Sequence, residues 1–152
     1  MAMSAHTGQR VVITAAAAGI GRVVVEAFVA AGAVVHLCDV NDAALAEVQG
    51  SLGESVVASH VNLADAAAVS VWLDATVASL GGVDVLVNNA GIKGPTAMVE
   101  DVTYDEWRES LAVGLDTQFL TIKKIAPLMK AAGRGSIINF SSTAGQYGYG
   151  LR

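Results

Sequence analysis

The sequence is poor in charge, in aromatic side chains, in proline and in cysteine. Of its 152 residues, 15% are charged and 5% are aromatic, and there are two prolines and one cysteine. A single cysteine, Cys38, excludes a disulfide within the chain, and its apolar surroundings are typical of a small core residue rather than a reactive thiol. The three histidines, His6, His36 and His60, are scattered singly, without a companion at metal-ligand spacing. We therefore predict no metal site.

Long hydrophobic runs and clusters of basic residues are also missing. No apolar stretch reaches the ~18 residues that a membrane-spanning helix needs, and the first ten residues lack the apolar core of a secretory signal. With a net charge of −5, the chain is a poor partner for nucleic acid or an anionic membrane. These features, with the lone cysteine, predict a cytoplasmic protein that binds neither nucleic acid nor membrane.

Hydrophobic residues, by contrast, make up 53% of the chain, which suits one domain over residues 1–152 with a substantial core. Apolar runs alternate with helical patterns, and glycines separate them. The predicted strands cover 10–14, 33–38, 55–60, 83–87 and 135–140, and the predicted helices cover 20–31, 42–51, 65–80 and 104–132. This alternation predicts an α/β fold, a doubly wound parallel sheet covered by helices on both faces.

The last predicted helix, 104–132, carries its own signals. Thr103, followed three residues later by Glu106, predicts a capping box at its start. Pro127 should kink or split the helix, because proline removes a backbone donor. A helical stripe of apolar residues predicts a buried face made of Trp107, Leu111, Leu115, Phe119, Ile122 and Met129.

Residues 11–39 read as a strand, a turn of small residues, a helix and a second strand that ends on an acid. Gly19 and Gly21 open the helix, whose free N–H groups and positive dipole end can hold a pyrophosphate. Asp39, 20 residues after Gly19, can accept hydrogen bonds from ribose hydroxyls. This combination favours a nucleotide site over a purely structural turn. Ala15 and Ala16 stand where such turns usually carry a further glycine, so either the turn avoids a positive φ there or cofactor binding is weakened.

Other strand ends also carry small or polar residues, at the sheet edge where such folds bind ligands. They are Asn62 after the third strand, Asn88-Asn89-Ala90-Gly91 after the fourth, and Ser141-Ser142 after the fifth. The amides of Asn88 and Asn89 can tie neighbouring strands together. Ala90 and Gly91 leave room for the backbone to approach a nucleotide.

Taken together, these motifs resemble those of the classical short-chain dehydrogenase/reductase family, in the family's order and spacing. The matching segments are TAAAAGIG (14–21), Asp39, VNLAD (61–65), VNNAG (87–91) and INFSSTAG (138–145). The resemblance implies a Rossmann-like, three-layer α/β/α fold with strand order 3-2-1-4-5, without the family's later strands. It covers nearly all of this chain, but only the N-terminal part of a typical member.

The resemblance also implies a bound NAD and a set of residues around it. The implied cofactor-binding residues are Thr14, Ala15, Ala18, Gly19, Ile20, Gly21, Asp39, Asn62, Leu63, Asn89, Ala90 and Gly91, with Asn62 and Leu63 flanking the adenine. Asp39 implies NAD rather than NADP, because its carboxylate repels a 2′-phosphate, and the nearest basic residue is Arg22. Ser142 matches the catalytic serine, whose hydroxyl would donate to the substrate carbonyl oxygen. We expect Ser141 to be the serine that caps the next turn.

Two positions depart from the family. Gly114 stands where the family usually has an Asn that supports a proton-relay water. The family's Tyr-x-x-x-Lys pair would begin beyond Arg152, and neither Tyr147 nor Tyr149 has a lysine four residues later. We therefore expect a truncated form of a longer enzyme, inactive by itself, whose fifth strand is an open apolar edge.

The function implied is NAD-dependent interconversion of a small secondary alcohol and a ketone by hydride transfer, in a homo-oligomer (dimer or tetramer) when full-length. One alternative is a non-catalytic dinucleotide-binding module or pseudoenzyme, given Gly114 and the missing pair. Another is a Rossmann-type methyltransferase, because an acid after the second strand also suits the ribose of S-adenosylmethionine. The NNAG and SSTAG motifs argue against the methyltransferase.

Overall fold

The computed structural model describes residues 6–148 and 150–151, and its five parallel strands form one sheet. The strands are β1 (Arg10–Thr14), β2 (Val34–Asp39), β3 (Val56–His60), β4 (Val85–Asn88) and β5 (Ser136–Asn139), in the order β3-β2-β1-β4-β5. The predicted order is confirmed. The predicted bounds of each strand lie within two residues of the observed ones.

Helices on both faces complete the three layers. They are α1 (Gly19–Ala30), α2 (Asp42–Leu52), α3 (Ala66–Leu80), α4 (Tyr104–Leu111) and α5 (Thr117–Ala132). Successive side chains of a strand point to opposite faces, so Val11 and Ile13 of β1 pack with α1 and α2, whereas Val12 packs with α3 and α5. The apolar runs of the sequence are thus buried on both sides, as the α/β fold requires.

Cys38 lies in the second of these apolar clusters and is fully buried. Burial raises the pKa of its thiol to about 12, so the thiol stays protonated at neutral pH. The interpretation of Cys38 as a small core residue agrees with this environment.

The long helix predicted over 104–132 is two helices joined by a π turn, Ala112–Asp116. Of the kink or split predicted at Pro127, the split does not occur, because α5 continues through this residue. Pro127 lies on the exposed side of the helix, where solvent can reach the carbonyl that lacks an N–H donor. The interruption instead surrounds Gly114, a residue that weakens a helix. The capping box of Thr103 and Glu106 at the start of α4 is confirmed.

The buried face predicted for this helix is wrong over much of its length. Trp107 is 54% exposed and Phe119 is 61% exposed, and α4 has no buried residue. A π turn adds one residue to the helical repeat, so the side chains of α5, Phe119 among them, are rotated by about 100° relative to an uninterrupted pattern. This does not apply to Trp107, which precedes the turn. The buried residues of α5 are Thr117, Thr121, Ile125 and Met129.

Strand β5 forms an open edge of the sheet, as predicted. It pairs with β4 on one side, and all four of its residues are exposed. Ile138 and the following Phe140 are among the exposed large hydrophobic residues. Such an edge is a template for pairing with a further strand.

Candidate functional site

The turn between β1 and α1 is held by side chains from two neighbouring strand ends. The Asn89 amide Nδ2 donates to the Ala15 carbonyl at 2.8 Å, and the Ala17 N–H donates to Asp39 Oδ2 at 3.0 Å. Ala15 has φ = +51°, a conformation that costs an L-residue roughly 1–2 kcal/mol. The sequence left two alternatives, a turn that avoids positive φ or weakened cofactor binding. The φ of Ala15 excludes the first of them at this residue.

The start of α1 packs closely under this turn. A Cβ on Gly21 would lie 2.6 Å from the Ala15 carbonyl oxygen and 2.6 Å from Asn89 Nδ2, so only glycine fits there. Gly19 has φ = +55°, which favours glycine as well. No side chain caps the first turn and no acid lies in it, while Ala18 and Ile20 are exposed. The helix start therefore has room and a favourable dipole for a phosphate group.

Asp39, at the end of β2, is fixed in orientation by backbone donors. Its Oδ1 accepts from the N–H groups of Val40 at 2.8 Å and Asn41 at 3.1 Å, while Oδ2 accepts from Ala17. A carboxylate oxygen can accept two hydrogen bonds, so Oδ2 retains one acceptor position. The negative charge thus stands beside the turn with a free acceptor.

Arg22 is the basic residue nearest to this carboxylate in the sequence motif, and it is already paired. Its Nε lies 2.9 Å from Glu26 Oε1, and its Nη1 lies 2.9 Å from Glu47 Oε1. The hydrogen bond to Glu26 is the main cause that raises the pKa of Arg22. Two carboxylates therefore compete with any phosphate for this guanidinium.

Thr14 joins the ends of β1 and β4. Its buried hydroxyl accepts from the N–H groups of Asn89 and Ala90, each at 3.1 Å. These bonds hold Ala90 against the sheet, whereas the next residue, Gly91, is exposed. The structure thus brings the predicted residues of the first and fourth strand ends together into one wall.

A second polar network crosses the sheet below this wall. Asn88 Nδ2 donates to Asn139 Oδ1 at 2.9 Å, which confirms the predicted tie between neighbouring strands. The Thr121 hydroxyl donates to Asn88 Oδ1 at 2.7 Å. The sequence analysis did not predict these roles of Thr121 and Asn139. The available signal was for Thr121, a threonine among the apolar residues of a helix.

Asn62 and Leu63 follow β3 and form the far side of the site. Asn62 Oδ1 accepts from the Ala64 N–H at 3.0 Å in a tight turn, and Leu63 is buried. The Leu63 carbonyl accepts from the buried Thr117 hydroxyl at 2.9 Å, and the same hydroxyl lies 3.0 Å from the Ala112 carbonyl. Thr117, which the sequence analysis missed, therefore connects this loop to the π turn.

Ser142 lies at the end of β5 and caps the 3₁₀ turn Thr143–Gly145. Its Oγ accepts from the Ala144 N–H at 3.2 Å. The prediction that Ser141 is the capping serine is therefore wrong. Capping uses the hydroxyl oxygen of Ser142 as an acceptor and leaves its proton able to donate.

Three other predicted positions give a mixed picture. A Cβ on Gly114 would meet no atom within 4 Å, so this position opens onto space. Tyr147 is exposed, and Tyr149 lies outside the described residues.

Within residues 6–148 and 150–151, no cluster of three or more His, Cys, Asp or Glu side chains could hold a metal, and no helix is long and apolar enough to cross a membrane.

Comparison with known proteins decides the family, since the family model described as short chain dehydrogenase matches residues 9–152. The chain belongs to the short-chain dehydrogenase family. It is 38% identical over 141 residues to a 3-alpha-(or 20-beta)-hydroxysteroid dehydrogenase of Mycobacterium tuberculosis, and the aligned part covers 93% of this chain and 54% of that protein. It is 32% identical over 143 residues to a 2-dehydro-3-deoxy-L-rhamnonate dehydrogenase (NAD(+)) of Sphingomonas sp., covering 94% of this chain and 57% of that one.

Solved structures agree with this assignment. A metagenomic short-chain oxidoreductase in complex with NADP superposes with a TM-score of 0.90 at 32% identity, covering 95% of this chain and 67% of that one. Members of this family bind a nicotinamide dinucleotide. The short-chain dehydrogenase chain described here spans about half the length of the curated relatives it matches.

Proposed function

We propose that this chain is the cofactor-binding part of an NAD-dependent oxidoreductase that interconverts a secondary alcohol and a ketone. The observation that carries the proposal is the turn held by Asn89 and Asp39 above the uncapped start of α1. Gly21 closes the packing there so tightly that a methyl group would not fit. The nicotinamide of such a cofactor exchanges a hydride with the substrate carbon. The residues proposed to hold the cofactor are Thr14, Ala15, Ala18, Gly19, Ile20, Gly21, Asp39, Asn62, Leu63, Asn89, Ala90 and Gly91.

The preference for NAD over NADP rests on Asp39 and Arg22. The Asp39 carboxylate keeps one acceptor position for a ribose hydroxyl, but it would repel a 2′-phosphate. Arg22, which could otherwise attract that phosphate, is paired with Glu26 and Glu47. One relative is named for NAD(+) and one similar structure was solved with NADP. The proposed preference for NAD therefore rests on Asp39 and Arg22 of this chain and not on the comparisons.

Fluorescence titration of the full-length protein encoded by this gene, with NADH and with NADPH, tests the preference. We expect NADH to bind at least tenfold more tightly, a difference of about 1.4 kcal/mol. Asp39→Asn should reduce this ratio because it removes the charge. Asp42→Asn is the matched control, since Asp42 is an exposed acid that pairs with His60. NADPH binding as tight as that of NADH would overturn the preference.

Ser142 is proposed to act on the substrate oxygen. Its Oγ is oriented by the Ala144 N–H, so its proton can be donated to the oxygen that becomes negative during hydride transfer. Ser142→Ala should lower kcat by about a hundredfold and leave NADH affinity unchanged. Ser141→Ala is the control and should keep full activity. Equal losses in both variants would contradict this role.

A second candidate, a non-catalytic dinucleotide-binding module, is favoured by Gly114, which offers no side chain at a position where a Cβ would meet no atom within 4 Å. Reading the gene beyond the codon for Arg152 separates the two candidates, because an in-frame Tyr-x-x-x-Lys supports the enzyme. Tight NADH binding without turnover by the full-length protein would favour the module.

We also propose that the protein is cytoplasmic and forms a homo-oligomer, a dimer or tetramer. Sedimentation of the full-length protein tests the oligomeric state.

A further inference from the structure

A cavity of about 470 Å³ opens beside the turn that carries Ser142. Three segments contribute its apolar wall: Pro95, Met98 and Val99 from the loop after β4, Trp107 from α4, and Ala144 and Leu151 from the segment after β5. A volume of this size lies within the ~300–1,000 Å³ that small-molecule sites usually have.

The cavity adjoins the Ser142 hydroxyl, which is the group proposed to act on the substrate. Ala144, which lines the cavity, donates its N–H to Ser142 Oγ at 3.2 Å. If Ser142 contacts the substrate oxygen, the neighbouring cavity can hold the body of the substrate. The inference below therefore rests on the proposed function and concerns the same site.

The wall has little to offer a polar ligand. Lys93, Trp107 and Ser110 are its lining residues whose side chains carry polar atoms, and the Ser110 hydroxyl already donates to the Glu106 carbonyl at 2.9 Å within its own helix. A sugar or polyol would bury several hydroxyl groups here, and each one left without a hydrogen-bond partner would weaken its binding. An apolar body needs only contact area, and Met98 and Val99 are among the exposed hydrophobic residues that it would cover.

We infer that the substrate is a secondary alcohol or ketone with an alicyclic or aromatic body, and not a sugar or a polyol. In the oxidising direction the carbinol carbon loses a hydride to NAD and the hydroxyl loses a proton, which gives the ketone, NADH and H⁺. The wall made by Met98, Val99 and Trp107 selects the substrate through its ring system.

Turnover by the full-length protein with NAD tests this selection. We expect kcat/KM for 2-decalol to exceed that for sorbitol by at least about a hundredfold. A single methylene group in an apolar pocket already changes kcat/KM by roughly 10–200-fold. Met98→Gln, a change of similar length, should raise KM for 2-decalol several-fold and leave kcat nearly unchanged. Val71→Thr is the control, since Val71 is 71% exposed on α3 and does not line the cavity.

The outcomes separate this inference from the proposed function. Turnover that prefers sorbitol overturns the substrate class and leaves the oxidoreductase intact. Absence of turnover with every alcohol overturns the proposed function, and binding then decides the substrate class. Tryptophan fluorescence should change with 2-decalol but not with sorbitol, and Trp107→Phe, which removes the indole that lines the cavity, should abolish this change. An unchanged signal with 2-decalol overturns the inference.

Discussion

Replacing Ala15 with glycine should leave the stability of the protein nearly unchanged or raise it slightly, although the change removes a methyl group that packs against the core. Ala15 has φ = +51°, is half-buried, and contacts the apolar cluster beneath α3 and α5. Asn89 and Asp39 hold the turn in this conformation from both sides. Glycine adopts the same backbone conformation without steric strain.

Three effects set the size of the change. Removing the strain gains roughly 1–2 kcal/mol, and the greater freedom of glycine in the unfolded chain costs about 0.4–1 kcal/mol. Half a buried methyl group is worth about 0.4 kcal/mol. Ala15→Gly should therefore be close to neutral, with a gain of up to about 1 kcal/mol.

The neighbouring alanine provides the matched control. Ala16 is fully buried, and it is not among the non-glycine residues with positive φ in the described part of the chain. Ala16→Gly loses its methyl contacts and gains unfolded-state freedom without relief of strain, so it should cost about 1–2 kcal/mol. The two variants, which delete the same methyl group one residue apart, should therefore differ in sign or by more than 1 kcal/mol.

Urea unfolding of the full-length protein, followed by circular dichroism, measures both free energies of unfolding. Equal m-values in the variants and the parent would show that stability itself has changed. An equal loss for Ala15→Gly and Ala16→Gly would refute strain at Ala15. NADH titration of the same variants tests whether the strained turn weakens cofactor binding, in which case Ala15→Gly binds NADH more tightly.

Three further predictions use the same unfolding assay. Gly21→Ala should cost more than about 2 kcal/mol, because its Cβ would lie 2.6 Å from the backbone of the preceding turn, whereas Gly50→Ala, in open space on α2, should gain about 1 kcal/mol. Hydrogen bonding to Arg10 lowers the pKa of Asp84 to about 2, so its contribution of roughly 2 kcal/mol is complete above about pH 4 and is lost as the pH falls towards 2; Asp84→Asn should flatten the stability profile in this range. Thr117→Val should cost about 1–3 kcal/mol, because a buried carbonyl of the β3–α3 loop loses its donor, and Thr117→Ser should recover most of it.

The sheet and the start of α4 were predictable because their signals are local. Strands that are buried on both faces need continuous apolar runs, and the capping box joins residues three apart. The interruption of the helix around Gly114 was not predictable in the same way. The Thr117 hydroxyl at its end contacts the Leu63 carbonyl, which is distant in sequence, and the π turn rotates the later part of the face that an uninterrupted apolar pattern predicts.

For the candidate site, the sequence by itself determined which residues stand at the strand ends, because a parallel sheet brings those ends to one edge. The tertiary structure decided how they interact. Asp39 and Asn89 come from different strands and hold Ala15 at a positive φ that the sequence had left open. Likewise, the choice between Ser141 and Ser142 as the cap follows from the path of the backbone after β5. Local sequence records burial and backbone preference, whereas hydrogen-bond partners distant in sequence exist only once the strands have assembled.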